Sequence, residues 1–212
     1  MKVFVVLACL PASCLAKKPR PCASPPLMSG EFILSTQNEN FWIYSRYLYD
    51  ALDQRTRVLD FATIDNKTVT TDVLILNKEG VIYEINDRRK TCKKIPLKED
   101  FEPIAVSSDA SLLGQFFLGS SSGAREGLLV NTWIGELSTG GAYLNTVTAL
   151  GCIPVSLVTQ TEQYGWIMVN FFNNVIGIPD PSLLSPPSFC KDAKVMSNKE
   201  PVDFFSLFLH KK

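Results

Sequence analysis

The stretch VTTDVLILNKEGVIYEIN, residues 69–86, limits the possible folds more than any other part of the chain. Its first half is β-branched and aliphatic, and Asn77-Lys78-Glu79-Gly80 suits a type I turn closing on a glycine that takes positive φ. In the return run Val81, Tyr83 and Ile85 share one face, while Glu84 and Asn86 point to the other. That is an antiparallel hairpin with one half-wet side. The same rhythm recurs at Glu31–Thr36, Phe41–Asp50, Arg55–Ala62 and Thr91–Leu97. A second group follows at Leu129–Leu137, Ala142–Leu150, Ile153–Gln160 and Trp166–Phe172, with Ser138-Thr139-Gly140-Gly141 as a turn inside it. No 12-residue amphipathic stretch stands out except around Asp100–Gln115, which holds a modest apolar pattern. Gly119–Gly127 reads as a surface loop rather than a hinge between domains, because the strands on either side are alike. The chain is therefore expected to be mainly β, in a single domain.

The opening MKVFVVLACLPASCLA has a short basic start, an apolar run and a small-residue exit, the layout of a secretory signal peptide. Residues 1–16 are set aside on that basis, leaving 17–212 as the folded part, and no later run has the length of a membrane helix. Cys9 and Cys14 leave with the signal. Cys22, Cys92, Cys152 and Cys190 remain, an even count that implies two disulfides in an oxidising compartment, with three pairings open. No Cys-x-x-Cys pair marks a structural zinc site. Asn66-Lys67-Thr68 is a glycosylation sequon, which expects an exposed Asn66.

Charge is balanced, with 21 basic and 21 acidic residues and no basic stripe, which argues against a nucleic-acid partner. The single histidine, His210, precedes only Lys211 and Lys212, so a Ser-His-Asp or Cys-His arrangement would depend on a chain end. No glycine-rich phosphate loop occurs. The carboxylates of YDALDQRTRVLD (49–60) and KEDFE (98–102) read as solvated turns or partners of Arg55 and Arg57, with a weak oxygen-ligand calcium site as the second reading. None of this describes an enzyme.

Two segments stand apart. YGWIMVNFFNNVIGI (164–178) is apolar on both strand faces, so it is either a covered central strand or one wall of a ligand cavity. IGIPDPSLLSPPSFC (176–190) carries four prolines ahead of Cys190 and is expected to be an extended loop held against the body. Asp180 within it would cap a turn or help hold calcium.

LDQRTRVLDF (52–61), LILNKEGVIYEIN (74–86), GCIPVS (151–156), FFNNVIGIPDPSLLSPPSFC (171–190) and PRPCASPP (19–26) together resemble the ependymin and ependymin-related proteins. The resemblance covers most of residues 17–212. It implies strongly curved antiparallel sheets, an open half-barrel or sandwich with a second small sheet, around a hydrophobic pocket, similar to bacterial lipoprotein carriers. It implies a secreted or lysosomal, non-catalytic glycoprotein that binds lipids or other hydrophobic molecules, forms a homodimer and is associated with calcium. It also implies the pairs Cys22–Cys152 and Cys92–Cys190, whereas the third bridge of some members has neither partner here. Apolar character and strand position select Trp42, Tyr44, Tyr83, Trp133, Trp166, Met168 and Phe171 as candidate pocket residues. An extracellular adhesion or matrix protein acting through its surface is the alternative function.

Overall fold

The computed structural model describes residues 18–37, 41–64, 67–98, 100–123, 125–137, 141–161 and 165–196; of residues 41, 60–64 and 67–69 only the backbone is described. Residues 1–16, read above as a signal peptide, the sequon residue Asn66 and the tail 197–212 lie outside it. Eleven strands follow one another: β1 Leu27–Thr36, β2 Phe41–Asp50, β3 Arg55–Ile64, β4 Lys67–Leu76, β5 Val81–Asn86, β6 Thr91–Pro96, β7 Ser111–Gly119, β8 Gly127–Glu136, β9 Ala142–Thr148, β10 Pro154–Thr161 and β11 Gly165–Ile176. All eleven form one sheet in the order β6-β5-β4-β3-β2-β1-β11-β10-β9-β8-β7, and every pairing is antiparallel. Among the described residues no separate second sheet stands beside it. Two meanders, β1–β6 and β7–β11, are welded where β1 pairs with β11, and the sheet is not closed into a barrel.

This order dictates the shape. β6 and β7 are the two outer edges, so the connection between them must cross a whole face. Pro96 and Ser111 are fifteen Cα steps apart, a reach of about 50 Å when fully extended. Ten inter-strand gaps separate the edges, about 48 Å in a flat sheet. The connection also turns, with Ala110 N–H donating to the Ser107 carbonyl at 3.1 Å. A flat sheet leaves no slack for that turn, so the sheet must curl toward the face that the strap crosses. We call this the inner face.

Inner-facing Phe32, Leu34, Ile43, Tyr47, Val58, Val73, Ile82, Ile95, Ile167 and Val169 form the main core, against which Leu97, Phe101 and Ile104 of the strap pack. Val106, Trp133, Val147 and Cys152 make a smaller cluster under the later part of the strap. On the outer face Leu74, Leu76, Val81, Tyr83 and Ile85 are covered by the proline-rich segment through Leu184 and Cys190. The side of the hairpin 69–86 bearing Val81, Tyr83 and Ile85 is thus the dry one, while on the other Ile82 is buried, Glu84 half-buried and Asn86 exposed. The segment takes two short 3-10 turns, Pro181–Leu184 and Ser188–Cys190. Disulfides join Cys22 to Cys152 and Cys92 to Cys190, closing loops of 130 and 98 residues; the chain-entropy model gives each about 4–5 kcal/mol.

Of the expected turns, Gly80 takes φ 63 after a 3-10 turn over Asn77–Glu79. Asp50 accepts from Asp53 N–H and from Arg55, and Asp53 also pairs with Arg55. Arg57 turns instead to Asp72, at 2.6 and 2.8 Å, and donates to the Leu183 carbonyl at 2.8 Å. This group ties the proline-rich segment to β3 and β4. The Arg57 and Asp72 side chains are only 10% and 15% exposed. Asp72→Ala therefore leaves a nearly buried guanidinium without its charge partner, and urea unfolding should show a loss of about 2–3 kcal/mol, against about 1 kcal/mol or less for Asp53→Ala at the exposed end of the same sheet.

Candidate functional site

A cavity of about 690 Å³ lies between the inner face and the first half of the strap. Its floor is Phe32, Tyr47, Tyr49, Thr56, Val58, Ile75 and Phe171, and its roof is Leu97, Asp100, Phe101, Glu102 and Ile104, with Asn77 at one end. The floor follows from the pleat. In β2 the odd residues Ile43, Ser45, Tyr47 and Tyr49 oppose Leu34, Phe32, Gly30 and Met28 of β1, so all share the inner face. Phe32, Tyr47 and Phe171 make a three-ring group with centroids 6.0–6.1 Å apart. Tyr49 stacks on Phe101 at 6.0 Å and accepts a 3.0 Å hydrogen bond from the Ile104 N–H. That pair fixes the strap to the floor.

Tyr47 is held from behind. The β1–β11 register shifts between Ser29 and Glu31, and Asn173 there takes φ 49, a conformation asparagine tolerates. The bulge brings Asn174 inward, where its Oδ1 accepts from the Tyr47 hydroxyl at 2.7 Å and its amide donates to the Pro154 carbonyl at 2.9 Å. Gly30 makes room: a Cβ there would collide with the Asn174 side chain and stand 3.0 Å from the Tyr47 ring. Burial pushes the Tyr47 phenol well above its ordinary range, with the neighbouring Tyr49 adding to it. Burial also raises Tyr49, against the Ile104 hydrogen bond.

Of the seven candidate pocket residues, only Phe171 lines this cavity. Trp42 and Tyr44 are even-numbered in β2 and face outward, as do Trp166 and Met168 in β11. Tyr44 stands beside Glu31, whose hydrogen bond raises its phenol. Tyr83 lies on the outer face under the proline-rich segment, and Trp133 is buried in the small inner cluster, away from the cavity. With a side-chain period of two, a choice one residue off selects the opposite face, which accounts for Trp42, Tyr44, Tyr83, Trp166 and Met168, whereas Trp133 faces inward at a different place on the sheet. Phe32, Tyr47 and Tyr49 were missed through the same choice of phase, and Phe101 because it stands in the strap between β6 and β7 and not in a strand. The alternation of β2 does contain the signal, since Tyr47 and Tyr49 are in phase with Ile43.

Within the run 164–178, β11 is a central strand with one covered face. Ile167 and Val169 are buried inside, whereas Trp166, Met168 and Phe172 are exposed outside. Asp180 caps the first 3-10 turn, its Oδ1 accepting from Ser182 N–H at 3.0 Å and from Ser182 Oγ at 2.6 Å, which lowers its pKa. Among the described residues no three metal-ligating side chains are grouped around it.

The chain is thus a disulfide-stapled, open antiparallel β-sheet protein with an aromatic cavity on its inner face. The ependymin family profile matches residues 65–190. Ependymin-2 of Carassius auratus is 31% identical over 206 residues, covering 96% of this chain and 95% of that protein. Mammalian ependymin-related protein 1 of Mus musculus is 34% identical over 182 residues, 83% of this chain and 79% of its own. This chain belongs to the ependymin family. Among solved structures, a conserved protein of Thermus thermophilus aligns with TM-score 0.49 and 13% identity over 81% of this chain and 90% of its own.

The buried phenols give the site a signature in alkali. Below pH about 10 folded and unfolded phenols are alike protonated. Above it the unfolded chain releases protons that folded Tyr47 and Tyr49 retain, so stability is lost as pH rises. Melting temperature should fall past that pH, and Tyr47→Phe should make the fall shallower. Phenolate absorbance of the folded protein checks the assignment by showing a late-titrating set that shrinks in the variant.

Proposed function

We propose that this protein is a secreted or lysosomal, glycosylated and non-catalytic carrier that binds a lipid or other hydrophobic molecule in the inner cavity. The supporting observation is the cavity itself. It is lined by the rings of Phe32, Tyr47, Tyr49, Phe101 and Phe171 and lies in the size range of pockets that take one small ligand. Filling it with an alkyl chain would contribute about 0.8 kcal/mol per methylene removed from water. Among the described residues no helix is long and apolar enough to cross a membrane. Secretion in this reading rests on the signal-like residues 1–16, and glycosylation on Asn66. Native mass spectrometry with lipid extraction of the purified protein tests the proposal. A co-purifying lipid is expected, as is a rise in melting temperature with added ligand, and Phe101→Ala should weaken binding about tenfold. No bound lipid and no thermal shift with any added amphiphile would end the carrier reading.

A second observation favours a role for the outer surface. Cross-strand partners Trp42, Ser35, Met168, Val158, Leu144 and Ile134 form one row across six strands. Trp42, Ile134, Met168 and neighbouring Trp166 are 40–46% exposed. A largely apolar row of this kind, interrupted by Ser35, suits protein association, and we assign the homodimer expected of this chain to it, with calcium at Asp180 as an accessory. Light scattering after size exclusion should give a two-chain mass for the parent and a one-chain mass for Met168→Lys. A dimer untouched by that substitution removes the row from the interface, and one unchanged by chelator removes calcium.

A further inference from the structure

The charge at the cavity mouth carries an inference about what enters. We propose that the cavity selects amphiphiles bearing a cationic ammonium headgroup, held between Asp100, Glu102 and the face of Phe101. This rests on the carrier reading and narrows its ligand class. Of the thirteen lining residues only Asp100 and Glu102 are charged; both are exposed, and neither forms an ion pair among the described residues. The nearby cations are directed elsewhere. Lys78, beside lining residue Asn77, donates to the Leu52 carbonyl and to Asp53, and Arg55 is held by Asp50 and Asp53. Lys98, two residues before Asp100, is exposed and does not line the cavity.

The chemistry follows from position. Asp100 and Glu102 flank Phe101 in the strap, and Phe101 is the ring stacked on Tyr49 at the floor. An alkyl body among the inner rings brings its headgroup to this stretch of the strap. A carboxylate headgroup there would meet two like charges, with no cationic side chain in the lining to answer it. An ammonium would meet two carboxylates and an aromatic face, the pairing that aromatic cages use for quaternary amines. Thr56 and Asn77, the remaining polar lining side chains, are uncharged and do not alter the preference.

Three amphiphiles of equal chain length separate headgroup from body: dodecylammonium, dodecanol and dodecanoate. Each is titrated at low ionic strength and neutral pH against the protein loaded with an uncharged fluorescent probe. We expect dodecylammonium to displace the probe at the lowest concentration and dodecanoate at the highest, with a spread of about tenfold that narrows as salt is added. In the Asp100→Asn, Glu102→Gln double variant the spread should collapse at low ionic strength to what the parent shows at high salt. Both positions are exposed, so the fold should survive the change. Dodecanoate binding as well as dodecylammonium, or a spread that survives in the double variant, overturns the charge preference and leaves the carrier standing. Failure of all three to displace or bind overturns the carrier reading, and this inference with it.

Discussion

The connection from β6 to β7 is the constraint on which the rest depends. The two meanders meet at β1 and β11, so the chain leaving β6 must traverse the full width of the sheet before it can begin β7. Once it crosses the inner face, curling the sheet and roofing it are a single event. The strap is bonded to the body where it starts, Leu97 N–H to the Gly80 carbonyl at 2.9 Å, and again from Ile104 onward. Its later part runs beside the N-terminal segment, with Ser24 N–H donating to the Ile104 carbonyl and Val106 N–H to the Cys22 carbonyl. Asn145 adds a bond to the Ala105 carbonyl. The cavity opens under the stretch between those anchor points, which is also where the acidic side chains stand.

The sequence carried the strands far better than their faces. Ten strands were legible because β-branched and aromatic runs were separated by turn chemistry that has few other uses. β7 was not, because its register shifts between Leu112 and Gly114. That shift breaks the alternation, and with the strap before it the segment gave only a modest, phase-shifted apolar pattern. Faces failed for a different reason. β2 and β11 carry large apolar side chains in both phases, so neither phase announces itself as the inner one. Trp42 and Met168 were the more conspicuous residues; Tyr47 and Ile167 were the buried ones. What decides between the phases is the strap, and a crossing of eleven strands is a non-local fact that no window of sequence contains.

The outer face shows the same logic in reverse. Over β4–β6 it is dry only because the proline-rich segment lies on it, with Leu184 and Cys190 buried beneath. Prolines suit this place: the segment needs no ladder hydrogen bonds, and its restricted φ lowers the entropy lost in holding it there. Three unlike attachments fix it: the bridge to Cys92, the Arg57 bond to the Leu183 carbonyl, and a short parallel contact of Val195 with Lys94. The last also lies along the free edge of β6, with Met196 N–H donating to the Lys94 carbonyl, which blunts an edge otherwise open to pairing.

A sheet curled around a cavity gives up part of the close packing that stabilises an ordinary core. The two disulfides lie away from the cavity lining, one beside the small inner cluster and one on the outer face. Each ties a segment outside the sheet to the sheet: Cys22 to the β9–β10 turn at Cys152, and Cys190 to β6. Cys152 itself takes φ 54 after Gly151 at φ 80, a left-handed pair that suits a tight hairpin and that a non-glycine residue adopts at some cost. The bridge and the Ser24 hydroxyl, donating to the Cys152 carbonyl at 2.8 Å, hold it there. Covalent closure acts mainly on the unfolded chain, so it stabilises the fold without filling the space beneath the strap. A protein stabilised in this way can leave Phe32, Tyr47 and Phe171 facing a void without losing the fold.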